Sequence, residues 1–148
     1  MAGLEKNVQA VWRGGTTFEL ISGSGHHALT DGDSQQAMSP MEMLLGAMVG
    51  CAAADVISIL QKKRQAVTRL EGLIHGVRCV EHPRVYTEIQ VKFLVTGHAV
   101  DPEAVRRALD LTETKYCSVS AMLAERARIV FDFDIVEAEP APASSVAG

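Results

Sequence analysis

The sequence predicts an α+β protein, and three observations lead to that prediction. Several short segments alternate apolar and polar residues and are separated by turn residues, which is typical of strands. Two segments begin with a capping residue and a proline and continue with apolar residues suited to helices. With 148 residues, of which 47% are hydrophobic and 22% charged, the chain has the length and composition of one globular domain.

The first part of the chain, residues 7–30, is predicted to form two or three strands. Its alternating runs are separated by Gly14-Gly15, and a Ser-Gly-Ser-Gly stretch at residues 22–25 closes the second run. Glycine readily adopts the positive φ angles that tight turns between strands need. Residues 31–37 are mostly polar and predict a loop.

A long helix is predicted to follow, from Ser39-Pro40 to about Gln65. Ser39 can cap free backbone amides, Pro40 suits the first helical position, and Glu42 suits the positive end of the helix dipole. Residues 43–60 are apolar nearly all round, which is typical of a helix buried on most sides. Small residues recur at every fourth position, so we expect close packing against a second long helix or a second subunit: Gly46, Gly50, Ala54 and Ser58.

The same apolar stretch reaches the lower limit of length for a membrane span. Asp55 lies inside it, and an ionised side chain in the middle of a bilayer is costly. We therefore expect no membrane partner, and since residues 1–10 lack the apolar core of a signal peptide, we expect a cytoplasmic protein. The net charge of −4 and the absence of a basic run argue against a nucleic-acid partner.

The second half of the chain is predicted to continue with a strand pair, a helix and a last strand. Residues 70–80 and 85–96 read as a half-buried hairpin around the turn at residues 81–84, with Tyr86 on the polar face. Asp101-Pro102 predicts a helix that ends near Lys115, with an apolar stripe formed by Val105, Ala108, Leu109 and Thr112.

A short helix is expected after Cys117, capped by Ser118 or Ser120, and residues 128–136 alternate as a final strand. We expect a single domain over residues 1–136. Residues 137–148 carry too few large apolar side chains to pack, which predicts a disordered tail.

The cysteines are the main candidates for chemistry. Cys51 lies in the middle of the long helix, and Cys117 lies beside a predicted helix start, where backbone amides lower a thiol pKa. Either cysteine, taken alone, can equally be a buried packing residue. Cys79 is expected in a strand and is interpreted as structural. No spacing typical of a metal site, phosphate loop or dinucleotide fold occurs, so no metal and no cofactor are expected.

Two motifs resemble those of the OsmC/organic hydroperoxide resistance superfamily. Residues 39–51, from Ser39-Pro40-Met41-Glu42 to Gly50-Cys51, are similar to its helix entry. Residues 116–120, Tyr-Cys-Ser-Val-Ser, resemble its second-cysteine motif, and the Glu-His-Pro turn at residues 81–83 is similar to the subgroup with a Ser-Pro-Met-Glu helix entry. The order of elements also matches, over residues 8–135.

This resemblance implies an intertwined homodimer whose strands wrap around long central helices. It also implies a thiol-dependent peroxide reductase that acts on a hydroperoxide, uses a dithiol reductant and needs no cofactor. Cys51 would attack the peroxide and become a sulfenic acid, and Cys117 would then close a disulfide with it.

The resemblance further implies an arginine that steadies the thiolate and a glutamate that orients this arginine. The arginine in the N-terminal strands is Arg13. In the peroxidase branch the glutamate directly follows the proline, where this chain has Met41. The carboxylate is Glu42, one helical step later, and one step turns a side chain by about 100°.

Three functions stay open at this point. A peroxide reductase needs Cys51 and Cys117 within disulfide reach, with Cα atoms closer than about 7 Å. A non-catalytic stress-response or small-molecule-binding dimer of the same fold would have inert thiols. A cysteine nucleophile in acyl transfer or hydrolysis would depend on Cys51 but not on Cys117. We expect Met41, Leu44 and Met48 to give the site an apolar lining, which would favour bulky organic peroxides.

Overall fold

The computed structural model describes residues 3–140, and the chain divides into two compact units between Gly46 and Ala47. Most of the predicted tail, residues 141–148, lies outside the described residues, while Glu137 still belongs to the last strand. The elements are, in order, β1 (Val8–Trp12), β2 (Thr17–Ser22), β3 (His27–Asp31), α1 (Pro40–Lys62), β4 (Ala66–Arg78), β5 (Tyr86–His98), α2 (Pro102–Leu111), a π-helical turn (Thr112–Tyr116), α3 (Ser118–Leu123) and β6 (Arg128–Glu137).

The first unit is built on an antiparallel sheet in the order β1-β2-β3, as predicted. Gly14 and Gly15 both have positive φ at the turn between β1 and β2. The predicted loop begins one residue later than expected, because Asp31 ends β3 and organises the residues after it. Its carboxylate accepts hydrogen bonds from the Thr16 hydroxyl and from the backbone amides of residues 33, 35 and 36. These bonds, led by that of Thr16, lower the pKa of Asp31 to about 2.

Helix α1 begins at the predicted residue because Ser39 and Glu42 form a reciprocal capping box. The Glu42 amide donates to Ser39 Oγ at 3.1 Å, and the Ser39 amide donates to a Glu42 carboxylate oxygen at 2.9 Å. The helix ends three residues before the predicted Gln65, and Arg64 just beyond it has a φ of 56°, a left-handed conformation that cannot continue the helix.

The expectation that α1 is buried on most sides is wrong for the single chain. One face is fully buried, through Met48, Ala52, Val56 and Leu60. The opposite face carries most of the small-residue stripe, where Gly46, Gly50 and Ala54 are exposed. The helix is long and apolar enough to cross a membrane by length and composition, and the core helix of a soluble protein passes the same test.

The second unit contains the sheet β4-β5-β6, in which β5 is central, antiparallel to β4 and parallel to β6. The predicted hairpin is confirmed, and Ile89, Val91, Phe93 and Val95 of β5 are buried. Tyr86 is buried as well, contrary to its predicted polar face. A register shift between Val77 and Arg78, opposite the start of β5, breaks the strict alternation there.

Helix α1 packs on this sheet through a close approach at Gly72 in β4. A β-carbon at Gly72 would lie 2.6 Å from Cγ2 of Val49 and 3.2 Å from the ring of Phe93. Only a residue without a side chain allows this approach, which sets how closely the helix bearing Cys51 sits on the sheet.

The C-terminal helices follow the predicted caps with one exception. Asp101 caps α2 through the Glu103 amide, and the predicted apolar stripe of α2 is buried. The helical path continues as a π-helical turn to Tyr116, close to the predicted end at Lys115. The cap of α3 is Cys117 itself, not Ser118 or Ser120, because its sulfur accepts the Ser120 amide.

Candidate active site

Two cysteines from distant parts of the chain meet in the second unit. Cys51 Sγ, a carboxylate oxygen of Asp55 and Cys117 Sγ all lie within 4.8 Å of one another. We call these residues the Cys51–Asp55–Cys117 cluster. Cys51 and Asp55 come from α1, and Cys117 comes from the start of α3. The thiols are free, so the structure brings together the two cysteines that the sequence singled out, in reduced form.

Asp55 is the member of the cluster that the sequence reasoning missed. In the sequence, Asp55 was interpreted only as a residue that disfavours a membrane span. A signal was available, because Asp55 follows Cys51 by four residues in a helix, and residues at this spacing share one face. What the spacing does not reveal is that Cys117 faces the same point.

Cys117 is almost completely buried, with 2% of its surface exposed. Its sulfur accepts a hydrogen bond from the Ser120 amide at 3.3 Å. Burial raises the pKa of Cys117 to about 11, and the neighbouring Cys51 and Asp55 act in the same direction, while the Ser120 amide opposes them. The expectation that the helix start lowers this pKa is therefore wrong, because loss of water outweighs the short helix α3.

Asp55 is a partly buried carboxyl group whose polar contacts are incomplete. Its Oδ2 is inaccessible to solvent and has no hydrogen-bond partner within residues 3–140. Burial raises the pKa of Asp55 above its ordinary value. A carboxylate in this state is easier to protonate than one in water, and it faces two thiols.

A cavity of about 360 Å³ opens beside Asp55, at the C-terminal end of α1. Its walls combine apolar side chains with two lysines: Ser58, Ile59, Lys62, Lys63, Leu111 and Tyr116. The expected lining by Met48 is wrong, because Met48 is fully buried in the core. Met41 and Leu44 do not line this cavity either, and its apolar side chains are Ile59, Leu111 and Tyr116.

Arg13 and Glu42, the other two predicted site residues, lie in the first unit and do not pair with each other there. Arg13 forms its ion pair with Glu19 of β2, and this contact lowers the pKa of Glu19. Glu42 is engaged at the helix start, where it also accepts a hydrogen bond from the Ser34 hydroxyl at 3.0 Å. Within the described residues, the carboxylate paired with Arg13 is Glu19, which was not among the residues predicted for the site.

Cys79, interpreted as structural, is not a member of the cluster. It lies just beyond β4 rather than in the strand, and its thiol donates to the backbone carbonyls of Glu81 and Pro83 at 3.3 and 3.5 Å. These contacts tie down the turn before β5.

Two thiols and one carboxylate are also donors that a borderline-soft cation such as Zn²⁺ accepts. The ligand spacing along the sequence predicts no metal site. The donors of this cluster are brought together only by folding.

Comparison with known proteins gives one consistent family. The model of the family described as OsmC-like protein matches residues 31–132. Protein YhfA of Escherichia coli K12 is 47% identical over 128 residues, which cover 86% of this chain and 96% of YhfA.

Solved structures agree with that match. A hypothetical protein from Aquifex aeolicus VF5 has a TM-score of 0.84 and 30% identity, with 91% of this chain and 98% of that chain covered. The organic hydroperoxide resistance protein OhrB of Bacillus subtilis has a TM-score of 0.60 at 16% identity, covering 90% of this chain and 100% of that chain, and this similarity concerns the fold alone.

Proposed function

Because the chain belongs to the OsmC-like family, we propose that it is a thiol-dependent peroxide reductase that reduces organic hydroperoxides through Cys51 and Cys117. The observation that carries the proposal is the pair of free thiols within 4.8 Å in the cluster. A disulfide requires the two sulfurs to approach to about 2.0 Å, and the fold already brings them into one cluster.

The environments of the two thiols support a division of roles. A protonated thiol is a poor nucleophile, and the raised pKa of Cys117 keeps it protonated near neutral pH. Cys51 is also the less buried of the two and is therefore the one that a substrate can reach. We assign the attack on the peroxide to Cys51 and the closure of the disulfide to Cys117.

The reaction balances as a two-electron exchange. The Cys51 thiolate attacks the distal peroxide oxygen, the O–O bond breaks, and the alcohol leaves after taking a proton. Cys51 is then a sulfenic acid, and attack by Cys117 forms the S–S bond and releases water. An external dithiol returns both cysteines to thiols, which fits a reducing, cytoplasmic setting.

The cavity beside Asp55 supports an organic substrate. Ile59, Leu111 and Tyr116 offer apolar contact to an alkyl or aryl group, which hydrogen peroxide lacks. Lys62 and Lys63 line the same cavity, so hydroperoxides that also carry a carboxylate fit its charge.

Arg13 and Glu42 enter the proposal with different tasks. The guanidinium of Arg13, paired with Glu19, is the cation that would steady the Cys51 thiolate and polarise the peroxide. Glu42 would act on the site through the capped start of the helix that bears Cys51. The protein is proposed to work as a homodimer, with the exposed small-residue stripe of α1 in the subunit interface.

The proposal is tested by adding one equivalent of cumene hydroperoxide to the reduced protein and counting free thiols over time. We expect a rapid loss of two thiols and a Cys51–Cys117 disulfide on peptide mapping. Cys79→Ser is the matched control, since it removes a thiol outside the cluster and should leave the loss of two thiols unchanged. Thiols that stay untouched for many minutes would contradict the proposal.

The cavity also favours a second candidate, a dimer that binds small apolar molecules without using its thiols. In that case the thiols stay reduced when cumene hydroperoxide is added. An apolar fluorescent probe should bind to the wild type, and the variant Ile59→Lys should lose this binding. An acyl-transfer enzyme would instead lose activity in Cys51→Ser but keep it in Cys117→Ser.

A further inference from the structure

Asp55 is placed where the second half of the proposed reaction takes place. Its carboxylate lies one helical turn from Cys51 and within 4.8 Å of both sulfurs. Its Oδ2 is shielded from solvent and has no partner in the described part of the chain. An unsatisfied buried carboxylate oxygen costs stability, and such costs are concentrated at functional sites.

The closure of the disulfide needs two proton movements that the thiols alone do not supply. Cys117 must lose its proton to become nucleophilic, and the hydroxyl group on oxidised Cys51 must gain one to leave as water. Burial holds the pKa of Cys117 at about 11, so very little thiolate is present near neutral pH. The donor to Cys117 Sγ is the backbone amide of Ser120, which cannot take up a proton.

We propose that Asp55 carries the proton in this step. The carboxylate removes the proton from the Cys117 thiol while the sulfur of Cys117 attacks the sulfur of oxidised Cys51. As the S–S bond forms and the S–O bond breaks, Asp55 passes that proton to the departing hydroxyl group. Water leaves, Asp55 is again a carboxylate, and no electrons are needed beyond those of the two cysteines. The inference rests on the proposed peroxide reductase and assigns a catalytic residue to its second step.

The surroundings of Asp55 suit this role. Its raised pKa makes it a stronger base than an exposed aspartate, and this reduces the difference between the pKa of Asp55 and that of the Cys117 thiol. The titratable groups that share its surroundings are Cys51 and Cys117 in the cluster and Lys62, Lys63 and Tyr116 around the cavity.

The test is the variant Asp55→Asn in the full-length protein, with the two steps followed separately in a single turnover. Trapping with dimedone measures the sulfenic acid, and intact mass measures the disulfide. We expect sulfenic acid to form within about twofold of the wild-type rate and the disulfide to form at least about tenfold more slowly, in the range of general acid–base effects. Sulfenic acid should accumulate in Asp55→Asn and not in the wild type.

A pH profile separates a proton carrier from a structural role. Without Asp55, closure depends on the thiolate fraction of Cys117, so its rate should rise about tenfold per pH unit between about pH 7 and about pH 10. The wild-type rate should change less over this range, because its base is inside the site. Asp132→Asn, the same substitution at an exposed aspartate of β6 outside the cluster and the cavity, is the matched control and should behave like the wild type.

Several outcomes would overturn the inference. One is a folded Asp55→Asn protein that closes its disulfide at the wild-type rate; another is an equal slowing of both steps with no pH rescue. If Asp55→Asn does not fold, Asp55→Ser and Asp55→Glu replace it, and a closure rate in Asp55→Ser equal to that in Asp55→Glu contradicts the role. A wild-type protein that forms neither a dimedone adduct nor the Cys51–Cys117 disulfide refutes the reductase itself, and that result is distinct from all of these.

Discussion

At the scale of single residues, the two thiols of the cluster differ in how far they are buried. Cys117 and Cys51 lie close enough to interact, yet Cys117 is 2% exposed and has its pKa raised to about 11. The same loss of water raises the pKa of Asp55. Cys117 is a protonated thiol beside Asp55, a carboxylate with a raised pKa, and such a pair is suited to moving a proton within the site.

A second prediction at the residue scale concerns Arg13. Its variant should be slow in the first step and normal in the second, the reverse of Asp55→Asn. We expect Arg13→Ala to slow the formation of sulfenic acid by at least about tenfold, because it removes the cation that we propose to steady the Cys51 thiolate. Disulfide closure, once sulfenic acid is present, should keep its wild-type rate. Single-turnover trapping measures both, with Arg69→Ala as a matched control, since Arg69 pairs with Glu71 on an exposed part of β4. A wild-type rate of sulfenic acid formation in Arg13→Ala would remove Arg13 from the mechanism.

At the scale of elements, short-range signals and close packing together place α1. The capping box sets where the helix starts, and the close approach at Gly72 sets how near Val49, two residues before Cys51, lies to the sheet. The position of Cys51 therefore depends on the contact between Val49 and Gly72, which requires a residue without a side chain in β4.

The prediction at this scale concerns Gly72. We expect Gly72→Ala to lower the free energy of unfolding by about 1–3 kcal/mol, because its β-carbon would meet Val49 Cγ2 at 2.6 Å. Urea denaturation measures the change. The combination with Val49→Ala should recover part of the loss, since it removes the clashing methyl group. A Gly72→Ala protein as stable as the wild type would show that the helix can shift away from the sheet at little cost.

At the scale of the whole molecule, the exposed face of α1 is the surface at which we expect a second subunit to pack. Gly46, Gly50 and Ala54 leave an open stripe on a helix whose other face is core. Apart from the chain neighbours and the nearby backbone of the helix itself, a β-carbon at either glycine would have no atom of the described residues within 4 Å. Small residues on one stripe allow another backbone to approach closely, as in the homodimer proposed for this chain.

We expect Gly50→Leu to weaken that dimer, because a large side chain on the stripe would hold the two helices apart. Light scattering behind size exclusion should give a dimer for the wild type and a shift toward monomer for Gly50→Leu. Val130→Asp, an exposed position on β6, is the control and should stay dimeric. A wild-type monomer, or a Gly50→Leu protein that stays dimeric, would contradict this interface.

The features that could be read from the sequence are those encoded within a few residues of each other. Caps at Ser39 and Asp101, alternation in β5 and the two cysteine motifs predicted the α+β class, the family and the candidate thiols. The sequence did not reveal that Asp55 joins the thiols, that Glu19 is the partner of Arg13, or that Cys117 is a weaker acid than its helix start suggested. These properties depend on which distant residues become neighbours and on how much water is excluded around them. Both are consequences of packing, and only the tertiary structure decides them.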